Sequence, residues 1–177
     1  EDNLDSLQKL GLRLQCISLT DTANIHLTSA QYTRDSGAIG KIITNYHLAV
    51  INASAAQASL LSANQKVVTI GIADTAQNLS KKWSTLQRLT DDLESVEVTD
   101  STNAIKVTAD QLALSETLLS KFTDDDDHDY KLAVTAVRAG SAKAVSNLDH
   151  VTSVSVADSA ANVVSSLDDL AAINDLN

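Results

Sequence analysis

The stretch Val96-Glu97-Val98-Thr99-Asp100-Ser101 alternates apolar with polar residues and then closes on an aspartate and a hydroxyl residue. Alternation at a period of two predicts a strand with one face turned to a core. The Asp-Ser pair predicts the turn or helix start that ends it, because short oxygen-bearing side chains accept the backbone N–H groups left free there. The same signature stands at Ile17-Ser18-Leu19-Thr20-Asp21-Thr22, at Ile70-Gly71-Ile72-Ala73-Asp74-Thr75 and at Val154-Ser155-Val156-Ala157-Asp158-Ser159. One junction written four times predicts a repeat.

Longer matches carry the repeat across the chain. Leu7-Gln8-Lys9-Leu10 corresponds to Leu86-Gln87-Arg88-Leu89, and Thr28-Ser29-Ala30-Gln31 to Thr108-Ala109-Asp110-Gln111. The latter pair has capping-box spacing, in which a hydroxyl and a glutamine satisfy each other's backbone N–H. Leu48-Ala49-Val50 corresponds to Leu132-Ala133-Val134, each preceded by a tyrosine, Tyr46 or Tyr130. Ala73-Asp74-Thr75-Ala76-Gln77-Asn78 corresponds to Ala157-Asp158-Ser159-Ala160-Ala161-Asn162. The period drifts from 79 to 84 residues, lengthened by the insertion Asp124-Asp125-Asp126-Asp127. Tandem duplication explains the pattern, giving one domain over 1–177 with copies at 4–82 and 83–166 and a partial third at 167–177.

Between strands the pattern turns helical. A capped helix is expected over 29–43, an alanine-rich one over 55–63, and a longer one carrying Leu79, Trp83, Leu86, Leu89 and Leu93 on one stripe. Strands are expected at Leu14, Ile17 and Leu19, at 25–28, at 46–50 and at 67–72. Each copy thus divides into strand–helix pieces, with strand positions such as Leu93, Val96, Val98 and Ser101 similar to those of leucine-rich repeats, although Ser or Thr replaces the usual Asn. The expected fold is an α/β repeat solenoid, with parallel strands on one wall and helices on the other. The alternative is a compact α/β sandwich of two pseudo-repeats. Leu4, Trp83 and Leu167 share one repeat position, which predicts Trp83 in the core. It also predicts apolar ends without polar caps, so neighbouring repeats or further copies of the chain are the expected partners.

Composition bounds function. The chain has 177 residues, 44% of them apolar but only 3% aromatic, with no Met and no Pro. That is enough for a packed core of small aliphatic side chains. The absence of Met reads as a processed product or a segment of a longer chain. A net charge of −10 disfavours nucleic acid, whose phosphates repel it. No apolar run has the length of a membrane span. A single cysteine, Cys16, excludes an internal disulfide and reads as a structural thiol.

No catalytic, cofactor-binding or metal-binding residue is assigned. His26, His47, His128 and His150 lack ligand spacing, and no nucleophile elbow, phosphate loop or metalloprotease motif is present. The run from Asp124 through Asp127, with His128 and Asp129, is oxygen-rich enough to suggest Ca²⁺, but it lacks the glycine and spaced ligands of an EF-hand and reads as a solvated loop. The recurring junction aspartates read as helix caps, with a row of cation sites between coils as the lesser alternative. Asn52-Ala53-Ser54 and Asn78-Leu79-Ser80 match the glycosylation sequon.

The phrases Val154-Ser155-Val156-Ala157-Asp158-Ser159-Ala160-Ala161-Asn162-Val163 and Ile105-Lys106-Val107-Thr108-Ala109-Asp110-Gln111-Leu112 resemble the tandem repeats of very large bacterial secreted and surface proteins of the adhesin-like, beta-strand-repeat type. The resemblance covers essentially the whole chain. It implies an extracellular or cell-surface location and a non-enzymatic role in assembly or surface presentation. A solenoid that recognises a host or partner protein through its strand face is the alternative.

Overall fold

A computed structural model describes residues 2–123 and 130–173. In chain order the elements are α1 (Asp2–Lys9), β1 (Ile25–Thr28), α2 (Ser29–Arg34), α3 (Ser36–Ile39), β2 (Leu48–Ala53), α4 (Ala58–Ser62), β3 (Val67–Asp74), α5 (Ala76–Arg88) and β4 (Leu93–Val98). The second half supplies β5 (Ala104–Thr108), α6 (Ala109–Ala113), α7 (Glu116–Leu119), β6 (Lys131–Val137), α8 (Ala142–Ser146), β7 (Val151–Val156), α9 (Ala160–Ser165) and α10 (Leu167–Ile173). The protein is α/β, with one sheet ordered β1-β2-β3-β4 and another ordered β5-β6-β7. Every pair in both sheets is parallel. Except where the first sheet passes to the second at β4 and β5, each strand lies beside the next strand in sequence. A parallel neighbour cannot be reached by a tight hairpin, and the short helices between strands provide the return path.

Register sorts the side chains into two faces. Leu27, Val50, Ile70 and Leu93 follow one another across the first sheet, as do Ile72 and Val96. These side chains are buried, and at ~25 cal/mol per Å² of apolar surface their burial is the main favourable contribution. The opposite face carries His26, Ala49, Thr69, Gly71 and Ser95 in partnered positions. A Cβ added to Gly71 would come within 3.2 Å of Ser95 Oγ and 3.4 Å of Ile51 Cγ2, so a side chain there fits once the Ser95 hydroxyl gives by a few tenths of an ångström. The core is continuous across both sheets. It runs from Leu27 and Leu48 through Trp83 and Val96 to Leu132 and Ala142.

Local details recur in both halves. Thr28 and Gln31 form the expected capping box on α2, and Thr108 and Gln111 form it on α6. Ile17 bridges Ile42, and Val96 bridges Phe122. The register of β2 slips between Val50 and Ala53, and that of β6 between Val134 and Val137. Inside these slips Asn52 and Ala136 both have φ of 55°. Asn tolerates that left-handed conformation, whereas Ala meets its Cβ against the following carbonyl. Ala136→Gly is therefore expected to raise stability by about 0.5 kcal/mol, the strain relieved less the entropy glycine adds to the unfolded chain. Urea denaturation of the two chains measures it, and a destabilised variant would show that Ala136 carries no strain.

Three expectations are corrected. The helix over 29–43 is divided, because Asp35 leaves helical geometry at φ −101°, ψ 16° between α2 and α3. Ser115 plays the same part between α6 and α7, its hydroxyl donating to Gln111 O at 2.5 Å. Back-bonding of this kind competes with the helix ladder and bends it. Residues 14–19 form only the bridge at Ile17, not a strand, since no neighbour lies on their far side among the described residues. The long helix ends at Arg88, and Leu93 opens β4.

Candidate functional site

The features that set this surface apart are the strand-end aspartates and the two ends of the strand series. At the end of β3, Thr75 is the residue that caps α5, its hydroxyl accepting Asn78 N–H at 3.3 Å. Asp74 does something else. Its Oδ1 accepts Thr75 N–H at 2.8 Å and Asn78 Nδ2 at 2.7 Å, while Oδ2 accepts Ala55 N–H at 2.9 Å from the chain just after β2. The junction after β7 repeats it: Asp158 Oδ1 accepts Ser159 N–H at 2.8 Å and Asn162 Nδ2 at 2.6 Å, and Oδ2 accepts Ala139 N–H at 3.0 Å, just after β6. Asp100, after β4, accepts Ala76 N–H at 2.5 Å, just after β3, and Asn103 Nδ2 at 2.9 Å. The cap expectation holds for the hydroxyl residues Thr75 and Ser159 and for Asp100, which takes the first N–H of α5, and is corrected for Asp74 and Asp158, which tie their own junctions to the preceding one.

These bonds hold the Asp158 carboxyl below the ordinary carboxylate range, the Asn162 amide contributing most and the Ala139 and Ser159 N–H groups next. Because the folded-state value is depressed, this contribution is complete above the unfolded value and is lost as the pH falls through the folded one. Three N–H donors thus share each of the Asp74 and Asp158 carboxylates, most of the roughly four lone-pair sites such a group offers. After Asp100 the chain takes the turn of the two expected forms, since residues 99–103 turn directly into β5.

The other singled-out residues are dispersed. Trp83 is fully buried and donates Nε1–H to Ser115 Oγ at 2.9 Å. Cys16 is exposed, outside the core, because it takes the outward position next to Ile17. His26 is exposed, His47 keeps Nδ1 buried without a partner, and His150 stacks on Tyr130 at 4.0 Å. His128 and the run Asp124, Asp125, Asp126, Asp127 and Asp129 lie outside the described residues. Among the described residues no group of three or more His, Cys, Asp or Glu is placed to hold a metal ion. No described helix is long and apolar enough to cross a membrane. Asn78 spends its amide on Asp74, a bond a glycan there would disrupt.

A cavity of about 640 Å³ opens where the first sheet passes to the second and is lined by Thr75, Ser80, Lys81, Asp100 and Lys106 among others. Asp100 already takes a helix N–H there, and the Ser80 hydroxyl donates to Ala76 O at 2.7 Å. A second groove of about 240 Å³ is apolar and lies at the N-terminal end, lined by Leu4, Leu7, Ile17, Leu19 and Ile25. Comparison with models of protein families, with curated proteins and with solved structures finds no match to this chain. The sequence reading misses the cross-junction bond, although the recurrence of Asn78 and Asn162 at matched positions is a usable signal for it.

Proposed function

We propose that the chain is an α/β solenoid of leucine-rich-repeat-like form and that its role is structural: a non-enzymatic repeat module of a secreted or cell-surface bacterial protein, serving assembly or surface presentation. One observation carries the reading. Three of the four junction aspartates bond the backbone of the junction before them, Asp74 to Ala55, Asp100 to Ala76 and Asp158 to Ala139, whereas Asp21 takes the N–H of Ala23 in its own turn, so one contact serves three strand ends. A side chain reused this way is a fastening between units. The resemblance of residues 154–163 to adhesin-like repeats falls on one of these fastenings, which supports the extracellular setting. The outward sheet face favours this role over recognition through the strands. Its accessible groups include Thr69, Ser95 and Glu97 beside the aliphatic Ile51, and none of these is an aromatic anchor of the kind a protein-binding face uses.

Units fastened only to their neighbours open locally. In hydrogen exchange, Asp158→Ala is expected to speed the amides of β6 and β7 while leaving those of β1 and β2 unchanged. Equal acceleration of all strands would mean one compact cooperative domain and would remove the solenoid reading.

A further inference from the structure

Two strand edges have no partner among the described residues, and their internal counterparts are partners. The outer edge of β7 pairs with nothing among the described residues, whereas its counterpart β3 pairs there with β4. Residues 14–20, the counterpart of β4 and the turn after it, make their bridge to Ile42 and lack the β3-like neighbour on the other side. The β7 edge is ready for a strand. Ala157 N–H goes inward to Val137 O at 2.9 Å, so alternation turns the backbone groups of Val156 and Asp158 outward. At the internal joint the matching group, Asp74 O, accepts Thr99 N–H at 2.9 Å. Side chains show the same vacancy. Val156 is 38% exposed where Ile72 is 2%, and Leu167 is 53% exposed where Trp83 is 0%. Residues 151–156 also carry no charge, and an uncharged free edge strand is a template for pairing.

We propose that the open edge of β7 takes residues 14–20 of a second copy of this chain, in the register that β4 holds on β3. Val154 then faces Leu14, Ser155 faces Cys16, Val156 faces Ile17 and Asp158 faces Leu19, copying Ile70 with Leu93, Gly71 with Ser95, Ile72 with Val96 and Asp74 with Val98. Leu14, Ile17 and Leu19 are only half-buried, while Leu93, Val96 and Val98 are fully buried, so the docked edge gains the burial it lacks. The fastening completes itself, because Asp21 of the second copy meets the N–H of Ala160 as Asp100 meets that of Ala76. The contact is head-to-tail and leaves a free edge at each end, so it propagates into an open chain of copies. One element must yield. Both α1 and α10 correspond to parts of α5, and the docked α1 competes with α10. That helix is separated from α9 at Ser166 where α5 runs unbroken. It is tied to α8 by the exposed ion pair Lys143–Asp169 at 3.3 Å, with Leu170 and Ile173 against the core. Association is therefore weak and reversible.

The proposal rests on the repeat reading and has a site-specific test. A Cβ on Gly71 would lie 3.2 Å from Ser95 Oγ, close to what a disulfide of ~2.05 Å S–S length asks between one Cβ and the other sulfur. The natural chain, with Cys16, is mixed with a C16S/S155C chain under mild oxidation, and mixed dimers are separated by mass. The control is C16S/S59C, whose cysteine lies on α4 in an exposed position. The expected result is a mixed dimer, bridged from Cys16 to the cysteine that S155C introduces, forming roughly tenfold faster than the control dimer, since docking raises the local thiol concentration. Equal rates, or a dimer of two C16S/S155C chains forming faster than the mixed one, would overturn the head-to-tail register. If docking fails while the exchange pattern of the Asp158→Ala chain stays local, the repeat reading survives. If exchange is global, the fault lies in that reading.

Discussion

Trp83→Ala is expected to lower the unfolding free energy by about 4 kcal/mol, in the range seen for large aromatic truncations in cores. Trp83 is fully buried where the two halves of the chain meet. Its ring lies 5.8 Å from that of Phe122, which lies 4.7 Å from Tyr130, so the aromatic contacts run from α5 to the start of β6. Truncation opens a cavity and also removes the donor to Ser115 Oγ, leaving that fully buried hydroxyl with Gln87 and Gln111 alone. Trp83→Leu separates volume from bonding. Leucine stands at Leu4 and Leu167, which the proposed repeat matches to Trp83, and at position 83 it should cost about 2 kcal/mol by filling part of the space. Urea denaturation followed by far-ultraviolet circular dichroism gives both values, since tryptophan emission is lost with the residue. A loss below about 1 kcal/mol for the alanine chain would show that the surroundings collapse freely and that Trp83 does not join the halves.

What is legible in the sequence depends on how local its cause is. The capping boxes at Thr28 and Thr108 are readable because both partners of each bond sit three residues apart. The core stripe Leu79, Trp83 and Leu86 is readable because burial follows helical period. The strand expected at residues 14–19 rests on the same alternation that gives β4. It fails to form because a strand needs a ladder of pairs along at least one side, which β3 gives β4 and the single bridge from Ile17 to Ile42 does not supply, and alternation says nothing about neighbours. The breaks at Asp35 and Ser115 escape a sequence reading because a polar residue within an apolar-periodic stretch reads equally as a solvated position. Both prove fully buried. The junction aspartates are recognisable as recurrent, but their sequence context suggests the wrong partner. Their distant acceptor–donor bonds run to the N–H groups of Ala55, Ala76 and Ala139, and a backbone donor leaves no side-chain signature to match.

That distant bond is also where a single substitution should discriminate best. Asp74→Ala is expected to cost about 3 kcal/mol, because hydrogen bonds to a charged acceptor are each worth ~1.5–3 kcal/mol and do not add fully within one carboxylate. The residue is 8% exposed, so water cannot readily replace the acceptor for Ala55 N–H, Thr75 N–H and the Asn78 amide. Asp74→Asn keeps the shape but turns an amide N–H towards one of three donors, and about half the loss should remain. Asp158 makes the same three bonds in an exposed position, where water substitutes, so Asp158→Ala should destabilise far less. Equilibrium denaturation of the three variants reads the comparison. A smaller loss at Asp74 than at Asp158 would mean that burial does not govern the fastening. The ordering bears on assembly: a junction closed over by the next strand, as β4 closes over β3, is worth more than the identical junction left at an open edge. Covering the β7 edge should therefore strengthen Asp158 towards the value of Asp74, which makes the fastening and the docking of a further strand mutually reinforcing.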